Sequence, residues 1–172
     1  SYKLDCAVVM EYIAAVHKGP RAPKVGLLTY NNAYGRSIHE PSKEYVKGKN
    51  IEIVSIEEFP PQTVDLTTEL LRLKQKGAQY VFMQLLPAAI ISTLKGADRI
   101  GYKPMFIGTW TSTDPDFFKN GKGLLRDRVK MQFCGALPSD NVPGMKIMKE
   151  LWMRYKTVDS FDTAYWEGVV VG

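Results

Sequence analysis

Apolar residues change their spacing from one segment to the next, and each change marks a change of element. Leu4, Val8, Ile13 and Val16, with Ala7, Ala14 and Ala15 between them, recur at helical spacing and predict a first helix that stops at Gly19-Pro20. Val25 to Tyr30 is a short apolar run, the signature of a strand buried on both faces. Asn31-Asn32 then predicts a turn, and a second helix runs from near Tyr34 to about Val46 before Gly48 ends it. Ile51 to Ile56 alternates partially and predicts a second strand, broken by Pro60-Pro61.

The pattern continues in the same rhythm. Asp65 or Thr63 can cap a third helix, whose Leu66, Leu70, Leu71 and Leu73 lead to Lys76-Gly77. Tyr80 to Met83 is so apolar that it predicts a central strand. Pro87 suits a helix start, where its missing N–H is no loss, and that helix carries Ile90, Ile91 and Leu94 as far as Ile100-Gly101. Met105 to Gly108 predicts a fourth strand, followed by a polar, Trp-containing loop from Thr109 to Asp116 and a helical turn at Phe117-Phe118. Arg128 to Phe133 predicts the fifth strand. Met145 to Tyr155 predicts a final amphipathic helix after Pro143-Gly144.

Strands and helices that alternate with short connections imply right-handed crossovers and a mainly parallel sheet covered on both faces. The fold class expected is therefore α/β, a three-layer α/β/α arrangement with a five-stranded sheet in the flavodoxin-like order 2-1-3-4-5. No internal repeat or low-complexity stretch interrupts it.

Composition narrows the function classes. A length of 172 residues suits one domain, and 45% hydrophobic with 24% charged residues is the balance of a folded chain. Lys and Arg exceed Asp and Glu by 23 to 18, a net charge of +5. The basic residues are scattered, as in Lys18, Arg21, Lys24, Lys43 and Lys47, which reads as a solvated surface and not as a nucleic-acid site. No apolar run approaches the roughly 20 residues that span a bilayer. Cys6 and Cys134, on a predicted helix and strand, suit buried free thiols, with a disulfide as the alternative in an oxidising compartment. Two histidines without Cys/His spacing give no metal site.

Enzyme signatures are sparse. His17 and His39 fall on predicted helices without a Ser or Cys nucleophile signature, and the acidic runs Glu57-Glu58 and Asp114 to Asp116 read as solvated loop residues. No G-x-G-x-x-G follows a strand, so a dinucleotide cofactor lacks its cradle. A phospho-acceptor domain needs an acidic cluster at the first strand's end, where Thr29-Tyr30-Asn31-Asn32 stands instead. The expectation is therefore no catalytic residue and no cofactor.

KVGLLTYNNAYG over Lys24 to Gly35, then KGAQYVFM, then LLPAAIISTLKGADRIGYKPMFIG, resemble in order the second lobe of type I periplasmic binding proteins, most closely the branched-chain amino-acid transport group. The resemblance implies a two-lobed protein whose lobes close on a solute by a hinge, an ABC permease as partner, and a periplasmic or extracellular location. Residues 1–160 would form the lobe, and 161–172 a crossover segment towards the missing N-terminal lobe. The alternatives are a ligand-sensing module of a membrane receptor with the same fold and, more distantly, a flavodoxin-like enzyme.

Ligands of open parallel sheets bind at the carboxyl ends of the strands, which selects Tyr30–Tyr34, Gln84–Leu86 and Thr109–Ser112. The resemblance gives Tyr34 a ligand-facing ring or hydroxyl, and the N–H groups of Ala33, Tyr34 and Gly35 open a helix that favours an anionic oxygen. Leu85 and Leu86 stand where amino-acid binders of the family often carry aromatics. Trp110, beside Thr111, stands where they often place the carboxylate that neutralises a ligand ammonium, and none follows until Asp114. An ammonium buried without a counter-charge is costly, so the ligand expected is a hydrophobic or aromatic acid and not an α-amino acid. The isolated chain should bind weakly or not at all, and should self-associate through the apolar stretch from Phe161 to Val171.

Overall fold

The strands fall where the apolar runs are, and they pair into one sheet. β1 (Lys24–Tyr30), β2 (Glu52–Phe59), β3 (Tyr80–Gln84), β4 (Met105–Gly108) and β5 (Val129–Met131) lie in the order β2-β1-β3-β4-β5, with every neighbouring pair parallel. The helices are α1 (Tyr2–Val16), α2 (Ala33–Arg36), α3 (His39–Val46), α4 (Thr67–Gln75), α5 (Pro87–Arg99) and α6 (Pro143–Tyr155). The computed structural model describes residues 2–112, 117, 121, 123–125, 128–133 and 140–155. Phe118, Cys134, Asp114 to Asp116 and the segment 161–172 lie outside the described residues.

Side-chain alternation sorts the core into two layers. Val25, Leu27, Tyr80, Phe82 and Ile107 point to one face, where Cys6, Val9, Met10 and Ile13 of α1 cover them together with Ile38. Leu28, Val81, Met83 and Phe106 point to the other, against Leu70 and Leu73 of α4 and Ile90, Leu94 and Ala97 of α5. β3 is buried at every residue, as its composition predicts for a strand at the centre of the sheet. Cys6 is a buried free thiol whose Sγ lies 3.7 Å from the Ile38 carbonyl, and burial pushes its pKa up.

Several boundaries differ from the sequence reading, each for a local reason. The single helix expected from Tyr34 to Val46 is two, α2 and α3, joined at Ser37-Ile38. Pro41 explains the break: in a continuous helix it would have no N–H for the Ser37 carbonyl, and its ring would strike that carbonyl. As the third residue of α3, Pro41 falls in a first turn where a helical N–H partner is not required. β2 continues past Ile56 to Phe59, so Glu57 and Glu58 are strand residues and not loop residues. Glu57 is buried, accepting from the Ser55 hydroxyl at 2.6 Å and from Arg72 at 3.4 Å. β5 is shorter than expected, and a 3-10 turn at Trp110–Ser112 replaces the start of the polar loop. Neither capping candidate is the N-cap residue of α4, which is Leu66; Asp65, one residue earlier, still satisfies the first helical residue, its Oδ1 accepting from the Thr67 N–H at 3.0 Å and from the Thr67 hydroxyl at 2.6 Å.

Candidate functional site

The parallel sheet places the carboxyl ends of β1, β3 and β4 side by side, and the three turns leaving them are tied together by side chains. Asn32, in extended conformation, caps α2 by accepting from the Gly35 N–H at 2.9 Å. This sharp entry sets Tyr34 over the neighbouring tips. The Tyr34 hydroxyl lies 2.6 Å from Thr111 Oγ1, which in turn lies 3.0 Å from Thr109 Oγ1. A single phenol therefore bridges the first and fourth strands. Beneath it the Ser112 hydroxyl donates to the Leu85 carbonyl and fixes the turn after β3 to the turn after β4.

Aromatic rings build the wall next to that bridge. Tyr2 and Tyr30 each stand 6.4 Å from Tyr34, ring centre to ring centre, and Tyr30 packs on Phe59 at 5.3 Å. Burial raises the pKa of Tyr34, opposed in part by its hydrogen bonds with Thr111 and Thr109. Burial likewise raises that of Tyr30, opposed by the Leu86 backbone. Both phenols are therefore protonated at neutral pH. The polar side chains at these tips are hydroxyls, the Asn31, Asn32 and Gln84 amides and the Trp110 indole, and Tyr30–Tyr34, Gln84–Leu86 and Thr109–Ser112 contain no carboxylate.

Of the residues selected from sequence, Ala33 is exposed, and Tyr34, Trp110 and Thr111 are partly buried, all at the strand ends. Leu86 is 52% exposed and fits a wall position, whereas Leu85 is fully buried in the core and presents only its carbonyl to the turn. Both faces of β3 are covered, so Leu85, next after the strand, is still buried, and only at Leu86 does the chain reach the surface. The three N–H groups expected to welcome an anion are also fewer, because Asn32 already occupies that of Gly35.

Two further features escaped the sequence reading. Asp5 is 5% exposed and accepts from Gln132 Nε2 at 2.9 Å, a contact across 127 residues that no local pattern announces. His39 lies with Nε2 2.8 Å from Thr29 Oγ1 and Nδ1 3.8 Å from Glu58, which Arg36 grips with two nitrogens at 2.7 and 3.2 Å. Burial lowers the His39 pKa below its ordinary 6.5; Glu58 opposes the shift and Lys43 and Arg36 reinforce it. The folded protein thus binds this proton less readily than the unfolded chain. Stability is full above about pH 6.5 and falls as pH drops through the folded value. We expect denaturant unfolding to show this loss as the pH is taken below about 6.5, and His39→Gln to flatten it.

Residues 1–128 match the sequence profile of the periplasmic binding protein family. The chain belongs to that family. Leu/Ile/Val-binding protein homolog 7 of Brucella abortus (strain 2308) is 27% identical over 135 residues, covering 76% of this chain and 34% of the relative. Homolog 8 of the same organism is 29% identical over 90 residues, 52% of this chain and 22% of its own length. Among solved structures, a branched-chain amino acid ABC transporter protein from Thermus thermophilus with bound valine superposes with a TM-score of 0.79 at 24% identity, over 96% of this chain and 43% of that one. A fatty acid ABC transporter substrate-binding protein from Thermomonospora curvata superposes with a TM-score of 0.82 at 18% identity, over 99% and 45%. The chain spans less than half the length of each of these relatives and structures. Among the described residues no helix is long and apolar enough to cross a membrane.

Proposed function

We propose that this chain supplies one wall of the cleft of a two-lobed, non-enzymatic solute-binding protein, which delivers its ligand to an ABC permease from the periplasm. Residues 1–160 form the lobe, and 161–172 lead towards the other lobe. Ala33, Tyr34, Leu86, Trp110 and Thr111 face the ligand. Family membership and the strand-end geometry support the binding role. Leu4 and Val8 of α1, 65% and 47% exposed, offer apolar surface beside the strand ends for the opposing lobe.

The ligand is a hydrophobic or aromatic acid and not an α-amino acid. The observation that carries this reading is the tip chemistry: protonated Tyr34 and Thr111 hydroxyls beside Trp110 and Leu86, with no carboxylate on the three central tips. Hydroxyls can donate to a ligand carboxylate, whereas an ammonium would enter without a counter-charge. One fold neighbour holds bound valine and another belongs to a fatty acid ABC transporter, so the fold leaves the ligand open and the side chains must choose. The test is a melting experiment on the full-length protein with aromatic acids, fatty acids and leucine. Acids should raise the melting temperature and leucine should not; a shift with leucine alone would defeat the ligand reading.

A further inference from the structure

Directly beneath the tips, on the face covered by α1, the sheet carries a row of polar side chains where the layers below are apolar. The ladder pairs Thr29 with Gln84, Met83 with Gly108, and Gly108 with Met131. The residues one step further, Gln84, Thr109 and Gln132, therefore lie level with one another. By alternation they share the face of Phe82 and Ile107, which point to α1. Gln84 and Thr109 are fully buried, and Asp5 of α1 closes the row from above, bonded to Gln132.

This row holds more hydrogen-bonding capacity than the protein uses. Gln84 Nε2, Gln84 Oε1, Asp5 Oδ2 and Gln132 Oε1 are all shielded from solvent, and none has a protein partner. Leaving a buried amide and a carboxylate oxygen unpaired is strongly unfavourable, and native interiors resolve such clusters with ordered water. The complement is also right for water: one side supplies a donor, Gln84 Nε2, and the other supplies acceptors on Asp5 and Gln132, so one molecule can accept from the first and donate to the second.

We propose that Gln84, Thr109, Gln132 and Asp5 enclose an internal hydration site, in which ordered water accepts from Gln84 Nε2 and donates to Asp5 Oδ2 and Gln132 Oε1. The site pins the first turn of α1 to the central and edge strands. Thr109 also belongs to the Thr109–Thr111–Tyr34 chain of hydroxyls, so the water supports the candidate ligand wall from beneath. The inference rests on the polar row itself and stands whether or not the ligand reading holds.

A crystal structure of the 172-residue chain, with its Gln84→Met variant beside it, tests the site. Expected is a water within hydrogen-bonding distance of both Gln84 Nε2 and Asp5 Oδ2. A direct Gln84–Asp5 hydrogen bond, an empty site, or a metal cation refining in it would overturn the proposal. Melting temperature gives an independent reading. Met keeps the length and removes the amide, so the variant should melt roughly 2–10 °C lower as Asp5 and the water lose their partner. An unchanged or higher melting temperature for Gln84→Met would mean that the amide had no such partner, and would equally sink the idea.

Discussion

Gly35→Ala should lower the melting temperature of the chain by roughly 6–12 °C, the equivalent of about 3 kcal/mol for a clash that the core cannot absorb. A β-carbon at Gly35 would stand 2.0 Å from the Tyr30 carbonyl oxygen and 2.6 Å from the Tyr30 nitrogen. Both are backbone atoms of β1, whose Tyr30 pairs with Phe59 of β2 and follows Thr29, paired with Gln84 of β3, so neither can rotate away. Relief would require α2 to lift from the strand end, and Tyr34 would lift with it. Its hydroxyl would then leave Thr111, so the substitution should disturb the proposed ligand wall as well as the fold. Gly144 provides the control. It sits in the first turn of α6 with open space around its missing side chain, and alanine there should be neutral or gain under about 1 kcal/mol. Thermal unfolding of the two variants side by side checks the account. Equal melting temperatures would mean that α2 does not press on β1 as described.

Discrimination between isocaproate and leucine should also be large. The two differ only by the ammonium group, so the comparison isolates the counter-charge question. If the wall offers hydroxyls and no carboxylate, leucine must either leave its ammonium desolvated and unpaired or bind without closing the cleft. Taking about 3 kcal/mol for the unpaired charge, isocaproate should bind the full-length protein roughly 100-fold more tightly. Asp5 does not rescue leucine, because its carboxylate is buried beneath α1 and already bonded to Gln132. Titration calorimetry with the two ligands checks the ratio, and a preference for leucine would require a carboxylate supplied from elsewhere.

The fold was legible because each β-strand and α-helix carries its own period. β3 is apolar at nearly every position and lies at the sheet centre, and the strand–helix alternation gave the order of all five strands. The break between α2 and α3 could have been found as well, since Pro41 marks it one turn upstream. The length of β2 could not, because Glu57 looks like a loop residue until Ser55 and Arg72 are seen to satisfy it.

The candidate site was legible only in part. A topological rule points to three turns, and Tyr34 and Thr111, on two of them, meet although 77 residues separate them. Which of two adjacent leucines faces outward depends on where the strand ends, and this sent Leu85 inward and left Leu86 exposed. The buried row of Asp5, Gln84 and Gln132 was invisible for a different reason. Its members lie on a helix and two strands far apart in the chain, and no periodicity links them.

The claim on which the rest depends is that these strand ends form half of a binding site. It is tested by calorimetric titration of one ligand, the acid giving the largest melting shift, into the full-length protein and into the 172-residue chain. The account predicts saturable binding by the full-length protein and no more than heat of dilution from the chain alone. Equal affinity in the two titrations would contradict it, because the chain would then contain a complete site.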